Sequence, residues 1–174
     1  EVLYGTGLRI SELVGLRLGD VDLESALLRA FGKGAKERVV PVGRHALAAL
    51  GAWLGPGGRP AFVPERWARR GDADAVFLNR RGGRLTRQGA WLVVKRWGVE
   101  VGLDAELTPH VLRHSCATHM LDHGADIRAV QEMLGHASVS TTQVYTKVSA
   151  ERLFAAYRAA HPRATASTVA TPTA

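Results

Sequence analysis

The sequence predicts a mainly α-helical domain with a small antiparallel β element. Three patterns predict it. Helix start and stop signals bracket several apolar-periodic segments. Two short β-type runs flank a glycine-rich turn. Most of the loop punctuation gathers in one stretch, residues 55–73. The 174 residues suit one domain, or one domain with a tail. An apolar fraction of 46% is enough to build a core.

Taken in chain order, Thr6-Gly7 opens a first helix whose apolar positions are Leu8, Ile10, Leu13, Val14 and Leu16, and Gly19-Asp20 ends it. Residues 26–31 and 37–42 read as strands joined through Gly32-Lys33-Gly34-Ala35-Lys36, a β-hairpin. Residues 44–54 are helical by alanine and leucine content. Residues 55–73 hold Gly55, Pro56, Gly57, Gly58, Pro60 and Pro64 and read as a loop. A short strand over 75–78, a turn at 80–83 and a helix over 88–101 follow, the helix with Trp91, Val94 and Trp97 near one side. Thr108 as N-cap and Pro109 at the first helical position start a helix that runs to about His123. Gly135 stops the next one, residues 127–134. Ser140 with Gln143 three residues on is a capping-box pattern for a helix carrying Tyr145. Residues 150–160 form a last amphipathic helix, stopped by Pro162. The expectation is one domain over residues 1–161 and a disordered Ala/Thr/Ser-rich tail over 162–174.

Lys and Arg number 23 against 16 Asp and Glu, a net charge of +7 with a pI near 10.3. Such a balance fits a polyanionic partner, nucleic acid first, or a surface basic for solubility. The single cysteine, Cys116, excludes a disulfide framework, a cysteine-rich zinc site and an iron–sulfur cluster, and is consistent with a reducing cytoplasm. No apolar run approaches the roughly 18–20 residues that span a bilayer. The chain starts at Glu1 without methionine and reads as a fragment lacking its N-terminal part.

Familiar chemical motifs fail. Gly32-Lys33 lacks the following Ser/Thr of a phosphate loop, and neither a dinucleotide fingerprint nor a His-Glu-x-x-His run is present. Five of the seven histidines fall between His110 and His136. On one helix His119 and His123 lie roughly 140–220° from His110, so these side chains cannot converge on a metal. His110 and Arg113, three apart, share a face, and His110 sits in a first turn that favours anions. Such a pair can hold a phosphate and move a proton, or be an ordinary surface pair. Arg9 in a first turn, Lys33 at the hairpin tip and Tyr145 in a capped helix could join it. Each also has a plain alternative: pairing with Glu12, solvation and core packing, respectively.

Five segments in order carry a resemblance: Thr6-Gly7-Leu8-Arg9-Ile10-Ser11-Glu12-Leu13, Gly32-Lys33-Gly34-Ala35-Lys36-Glu37-Arg38, Pro109-His110-Val111-Leu112-Arg113-His114-Ser115, Leu134-Gly135-His136 and Thr141-Thr142-Gln143-Val144-Tyr145-Thr146. The chain resembles the catalytic domain of a tyrosine recombinase (phage integrase family), closest to its XerC/XerD branch. One departure is Cys116, where relatives often carry phenylalanine; by pattern it is a buried packing position.

The resemblance implies a site built from Arg9, Lys33, His110, Arg113, His136 and Tyr145. Tyr145 would be the nucleophile on a scissile phosphate, Arg9 and Arg113 the clamp on its non-bridging oxygens, and Lys33 the general acid. His110 would be an acid/base partner and His136 a phosphate donor. Neither a metal nor a cofactor is implied. Implied partners are a duplex recombination site, recombinase protomers in a tetramer on DNA, a paralogous XerC/XerD partner and a septal DNA translocase, in the cytoplasm. The segment after Tyr145 would dock on a neighbouring protomer on DNA, with packing on its own domain open to the free monomer. Two alternatives share these motifs: a phage or mobile-element integrase, and a DNA-binding relative without chemistry. Separately, residues 79–97 hold Arg80, Arg81, Arg84, Arg87, Lys95 and Arg96 and no acidic residue, and are expected to track phosphates.

Overall fold

A helix precedes Gly7 as well as following it. In this computed structural model, which describes residues 1–32, 37–103, 106–135 and 147–164, α1 covers Val2–Thr6 and ends on Gly7, whose φ of 60° is left-handed. Thr6-Gly7 therefore closes a helix rather than opening one. The Thr6 hydroxyl bonds back to the Val2 carbonyl at 2.5 Å, satisfying itself within α1. A Cβ on Gly7 would stand 2.6 Å from Leu134 Cδ2, so close packing as well as φ demands glycine here. The chain then starts α2, Ile10–Gly15, with Arg9 as its N-cap.

The sheet has one strand more than expected. β1 (Val21–Asp22), β2 (Leu27–Phe31) and β3 (Glu37–Pro41) form an antiparallel sheet in that order. Leu28 and Val40 are opposite each other and fully buried, whereas Arg29 and Phe31 alternate outward. Ala30 faces Arg38 in the register, so a small side chain leaves room for a guanidinium on the core side of the sheet.

Helix α3, Arg44–Leu54, buries Ala46 and Leu50, one turn apart, and packs on α1. The loop after it contains two short 3-10 turns, Arg59–Phe62 and Arg70–Asp72. The strand expected over 75–78 is absent; the segment makes only the isolated bridges Arg17↔Ala75 and Leu78↔Arg84. Side chains take the acceptors a partner strand would use. Buried Arg59 donates to the Ala73 and Ala75 carbonyls at 2.6 and 2.7 Å, and Trp53 Nε1 to that of Val76 at 2.8 Å.

Helix α4, Arg87–Glu100, is capped by the Thr86 hydroxyl. It touches the domain through Ala90, Val94 and Gly98, a narrow stripe on which small residues permit close approach to α2. Trp91 and Trp97 therefore stay outside at 42% and 59% exposure, although the sequence pattern grouped them with Val94. Helix α5, Pro109–Asp122, begins at the Thr108 cap as expected. Helix α6, Ile127–Leu134, is capped by Asp126 and ends on Gly135, with φ 67°.

Helix α7, Lys147–Ala160, starts earlier than expected and buries Leu153, Tyr157 and Ala160 on its own domain. The Tyr157 hydroxyl donates to the Gly5 carbonyl at 2.6 Å, and His161 stacks on the Tyr157 ring at 4.6 Å. Arg163 reaches Glu1 at 3.6 Å, so residues 162–164 continue as a turn against the domain. The apolar side that was expected to dock on a neighbour is thus occupied within this chain. The core joins α1, α2, β2, β3, α3, α5, α6 and α7.

Candidate active site

Three arginines converge on the C-terminal end of α6. The last carbonyls of a helix lack intrahelical donors and carry the negative end of its dipole. Arg38 Nε donates to the Met133 carbonyl at 2.8 Å, Arg113 Nη2 to Leu134 at 2.7 Å, and Arg9 Nη2 to Gly135 at 3.3 Å. Successive carbonyls thus each take a guanidinium from a different element: β3, α5 and the start of α2. Gly135 also makes room, since a Cβ there would sit 3.1 Å from the Arg38 guanidinium.

Glu12 is the second anchor. It lies in the first turn of α2, where its Oε2 accepts the Arg9 amide at 2.7 Å. Arg38 grips it with both ends of its fork, Nη1 to Oε1 at 2.6 Å and Nη2 to Oε2 at 2.9 Å. Arg9 Nη1 adds a contact to Oε1 at 3.2 Å. Burial would raise the Glu12 carboxyl, but the Arg38 hydrogen bonds, the Arg9 amide and the two guanidinium charges outweigh it and hold it below the ordinary carboxylate value.

Arg113 spans the site from below. Its Nη1 donates to the Gly7 carbonyl, closing the α1–α2 corner onto α5. Burial, then the charge of Arg9, pushes its guanidinium down to about 10, so it stays protonated at neutral pH. One carboxylate against three guanidiniums leaves the cluster electropositive, and Arg9, whose side chain is 43% exposed, is its open edge. His110 lies at the exposed start of α5, one turn before Arg113 on the same face, where the positive end of the helix dipole favours an anion. An electropositive cluster of this kind binds an oxyanion and stabilises charge built up on it.

Arg9 and Arg113 of the expected site thus meet at the C-terminal end of α6, and His110 lies one turn before Arg113 on α5. Lys33, His136 and Tyr145 lie outside the described residues. The Arg9–Glu12 pairing raised as the plain alternative is present at 3.2 Å, whereas sequence reading missed Arg38 and its grip on Glu12. Arg38's register opposite Ala30 on a buried strand face was the available signal. Cys116 is buried as expected, and burial pushes its thiol up.

The basic stretch divides. Arg80, Arg81, Arg87 and Arg96 are exposed, Arg96 pairing with Glu100 at 3.1 Å, and Lys95 stands 5.8 Å over the Trp91 ring. Arg84 instead turns inward. It donates to the carbonyls of Val14, Gly15, Leu16 and Gly71 and pairs with Asp74 at 3.1 Å.

Residues 1–152 match the phage integrase family, and the chain belongs to that family. It is 51% identical over 164 residues to the tyrosine recombinase XerC of Actinobacillus pleuropneumoniae, covering 94% of this chain and 51% of that protein. It is 53% identical over 165 residues to the tyrosine recombinase XerD of Mycobacterium tuberculosis, with 94% and 51% covered. The chain therefore spans about half the length of these relatives. Among solved structures it is similar to XerA recombinase, with a TM-score of 0.68 and 32% identity over 90% of this chain and 56% of that one. It is also similar to XerH site-specific recombinase bound to difH substrate in a pre-cleavage complex. That likeness has a TM-score of 0.63 and 32% identity over 79% of this chain and 38% of that one. The mainly helical fold with a small antiparallel sheet is the fold of these catalytic domains.

Proposed function

We propose that this chain is the catalytic part of a site-specific DNA recombinase that cuts and rejoins duplex DNA through a 3′-phosphotyrosyl intermediate, in chromosome-dimer resolution. The observation that carries the reading is the convergence of Arg9, Arg113 and Glu12-held Arg38 on the α6 C-terminus, two residues before His136.

The Tyr145 oxygen attacks the scissile phosphorus, its proton passing to a base for which His110 is the candidate. Arg9 and Arg113 hold the non-bridging oxygens and stabilise the charge of the pentacoordinate transition state. Lys33 gives a proton to the departing 5′-oxygen, and His136 adds a hydrogen bond to the phosphate. The P–O5′ bond breaks as the P–O(Tyr) bond forms. The phosphodiester energy is conserved, and a 5′-hydroxyl reverses the step without ATP. Guanidinium charge supplies what metal ions supply in other phosphoryl transfers.

Exposed Arg80, Arg81, Arg87 and Arg96, with Lys95, follow the backbone of the same duplex. Four protomers assemble on paired sites, with a paralogous Xer partner and a septal DNA translocase as further partners, in the cytoplasm. Among the described residues no helix is long and apolar enough to cross a membrane.

A nicked duplex in which cleavage releases a short strand traps the covalent state. The protein expressed from its complete gene should give a denaturant-resistant adduct on the 3′ side of the cut. Cleavage leaving a free 3′ end would contradict the reading.

A further inference from the structure

We infer that Arg38 is a positioning residue for phosphoryl transfer: by bridging the Glu12 carboxylate and the Met133 carbonyl, it orients Arg9 toward the scissile phosphate. The inference rests on the reaction proposed above and adds to it a residue with no contact to DNA.

Arg38 is buried, with 8% of its side chain exposed, so it is not itself a ligand for phosphate. Its hydrogen bonds form a strut. Nε fixes it to the Met133 carbonyl, and the two terminal nitrogens fix both oxygens of Glu12. The Glu12 carboxylate, so held, has its remaining capacity turned to Arg9, through the Arg9 amide at 2.7 Å and Nη1 at 3.2 Å. Gly135 packs against the Arg38 guanidinium on the other side. The strut thereby sets the separation between α2, which carries Arg9, and the α6 C-terminus, to which Arg113 is also tied.

Charge matters as much as geometry. Arg38 neutralises Glu12, and the carboxylate's pull on Arg9 is shared between two cations. Without Arg38 the whole pull falls on Arg9, which is drawn inward and loses charge available to a phosphate oxygen. Lysine cannot replace it, because a point ammonium cannot span two carboxylate oxygens and a carbonyl at once.

The test uses Arg38→Met and Arg38→Lys in the protein expressed from its complete gene. DNA binding and thermal melting are measured alongside cleavage of three nicked duplexes. One has the natural scissile phosphodiester, one a methylphosphonate without the second non-bridging anionic oxygen, and one a bridging sulfur at the 5′ position, whose thiolate leaves unprotonated. Misplacing Arg9 should slow phosphodiester cleavage about 10²-fold, the scale of a 1 Å displacement. The methylphosphonate, which needs less of the arginine clamp, should recover most of that loss, and the bridging sulfur should not. Arg38→Lys should follow the same substrate pattern, which covers the case in which Arg38→Met folds poorly. Equal losses on all three substrates would overturn the inference in favour of a structural role. Relief by sulfur would overturn it in favour of an effect on leaving-group protonation. A wild-type protein with no covalent adduct would overturn the reaction itself, and the inference with it.

Discussion

Arg113 donates a hydrogen bond to the carbonyl of Gly7, 106 residues earlier in the chain. Gly7 presents that carbonyl because its left-handed backbone turns the chain between α1 and α2, and its missing side chain lets Leu134 of α6 approach. One backbone position thus serves the core and the electropositive cluster together. Gly7→Ala should cost about 2–4 kcal/mol, from left-handed strain and a clash with Leu134. Urea unfolding measures it. A loss under about 0.5 kcal/mol would mean that the corner relaxes freely.

Glu12 makes stability depend on pH in a stated direction. Its folded-state pKa lies below the unfolded value, so its contribution is present above the unfolded value of about 4.3 and is lost as pH falls through the folded one. The stability gap between wild type and Glu12→Gln should therefore be open at pH 7 and narrow below about pH 4. Urea titrations across that range check it. A gap independent of pH would contradict the charge pairing with Arg38.

His161 works in the other part of the scale. Burial, with smaller effects from His119 and Arg163, pushes it down to about 4, against a bonding contribution from the Tyr4 carbonyl and the charge of Glu1. It is thus neutral when folded and charges more readily when unfolded. Stability should be full above about pH 6.5 and decline as pH falls toward 4, by up to about 3 kcal/mol. His161→Phe should flatten that decline while keeping the stack on Tyr157. An unchanged slope would assign the acid loss elsewhere.

Much of this was legible from local chemistry. The Thr108 cap with Pro109, the Gly135 stop after α6 and the hairpin are signals that act within a few residues; the Asp126 cap acts as locally but went unread. Thr6-Gly7 was read backwards because a threonine before a glycine suits a helix end as well as a start. The arginines were harder. Arg38, Arg59 and Arg84 look like surface charges in a basic chain, yet each satisfies distant carbonyls, Arg38 across 95 residues and Arg84 across 70. Composition cannot tell which arginines a fold consumes. Helix α7 showed its amphipathic side, but not which surface would cover it.

That distinction separates the basic residues in solution. Changing both Arg81 and Arg87 to alanine should flatten the slope of log K against log salt by up to about 2, since each phosphate contact contributes about 0.9. Arg84→Ala should leave the slope alone and lower stability by about 1 kcal/mol, because the part-buried Val14 carbonyl of α2 and the Asp74 carboxylate lose their guanidinium partner. The reverse pattern would exchange their roles.

Packing of α7 in cis changes what truncation means. Removing Leu153 onward would open the core, so loss of cooperativity on paired sites would not by itself report docking between protomers. Leu153→Ala alone should cost about 2–5 kcal/mol as a cavity in a buried site. A thermal melt of the DNA-free protein shows it. An unchanged melt would mean that α7 leaves its own domain in the monomer.

The measurement that bears most directly on the central claim is covalent capture by Tyr145→Phe on the nicked duplex, with the protein expressed from its complete gene. The ring remains and the nucleophilic oxygen goes. Gel-shift binding should stay within about twofold of wild type, because no charge that holds a phosphate is removed, and the denaturant-resistant adduct should vanish. An adduct persisting in Tyr145→Phe would contradict the account.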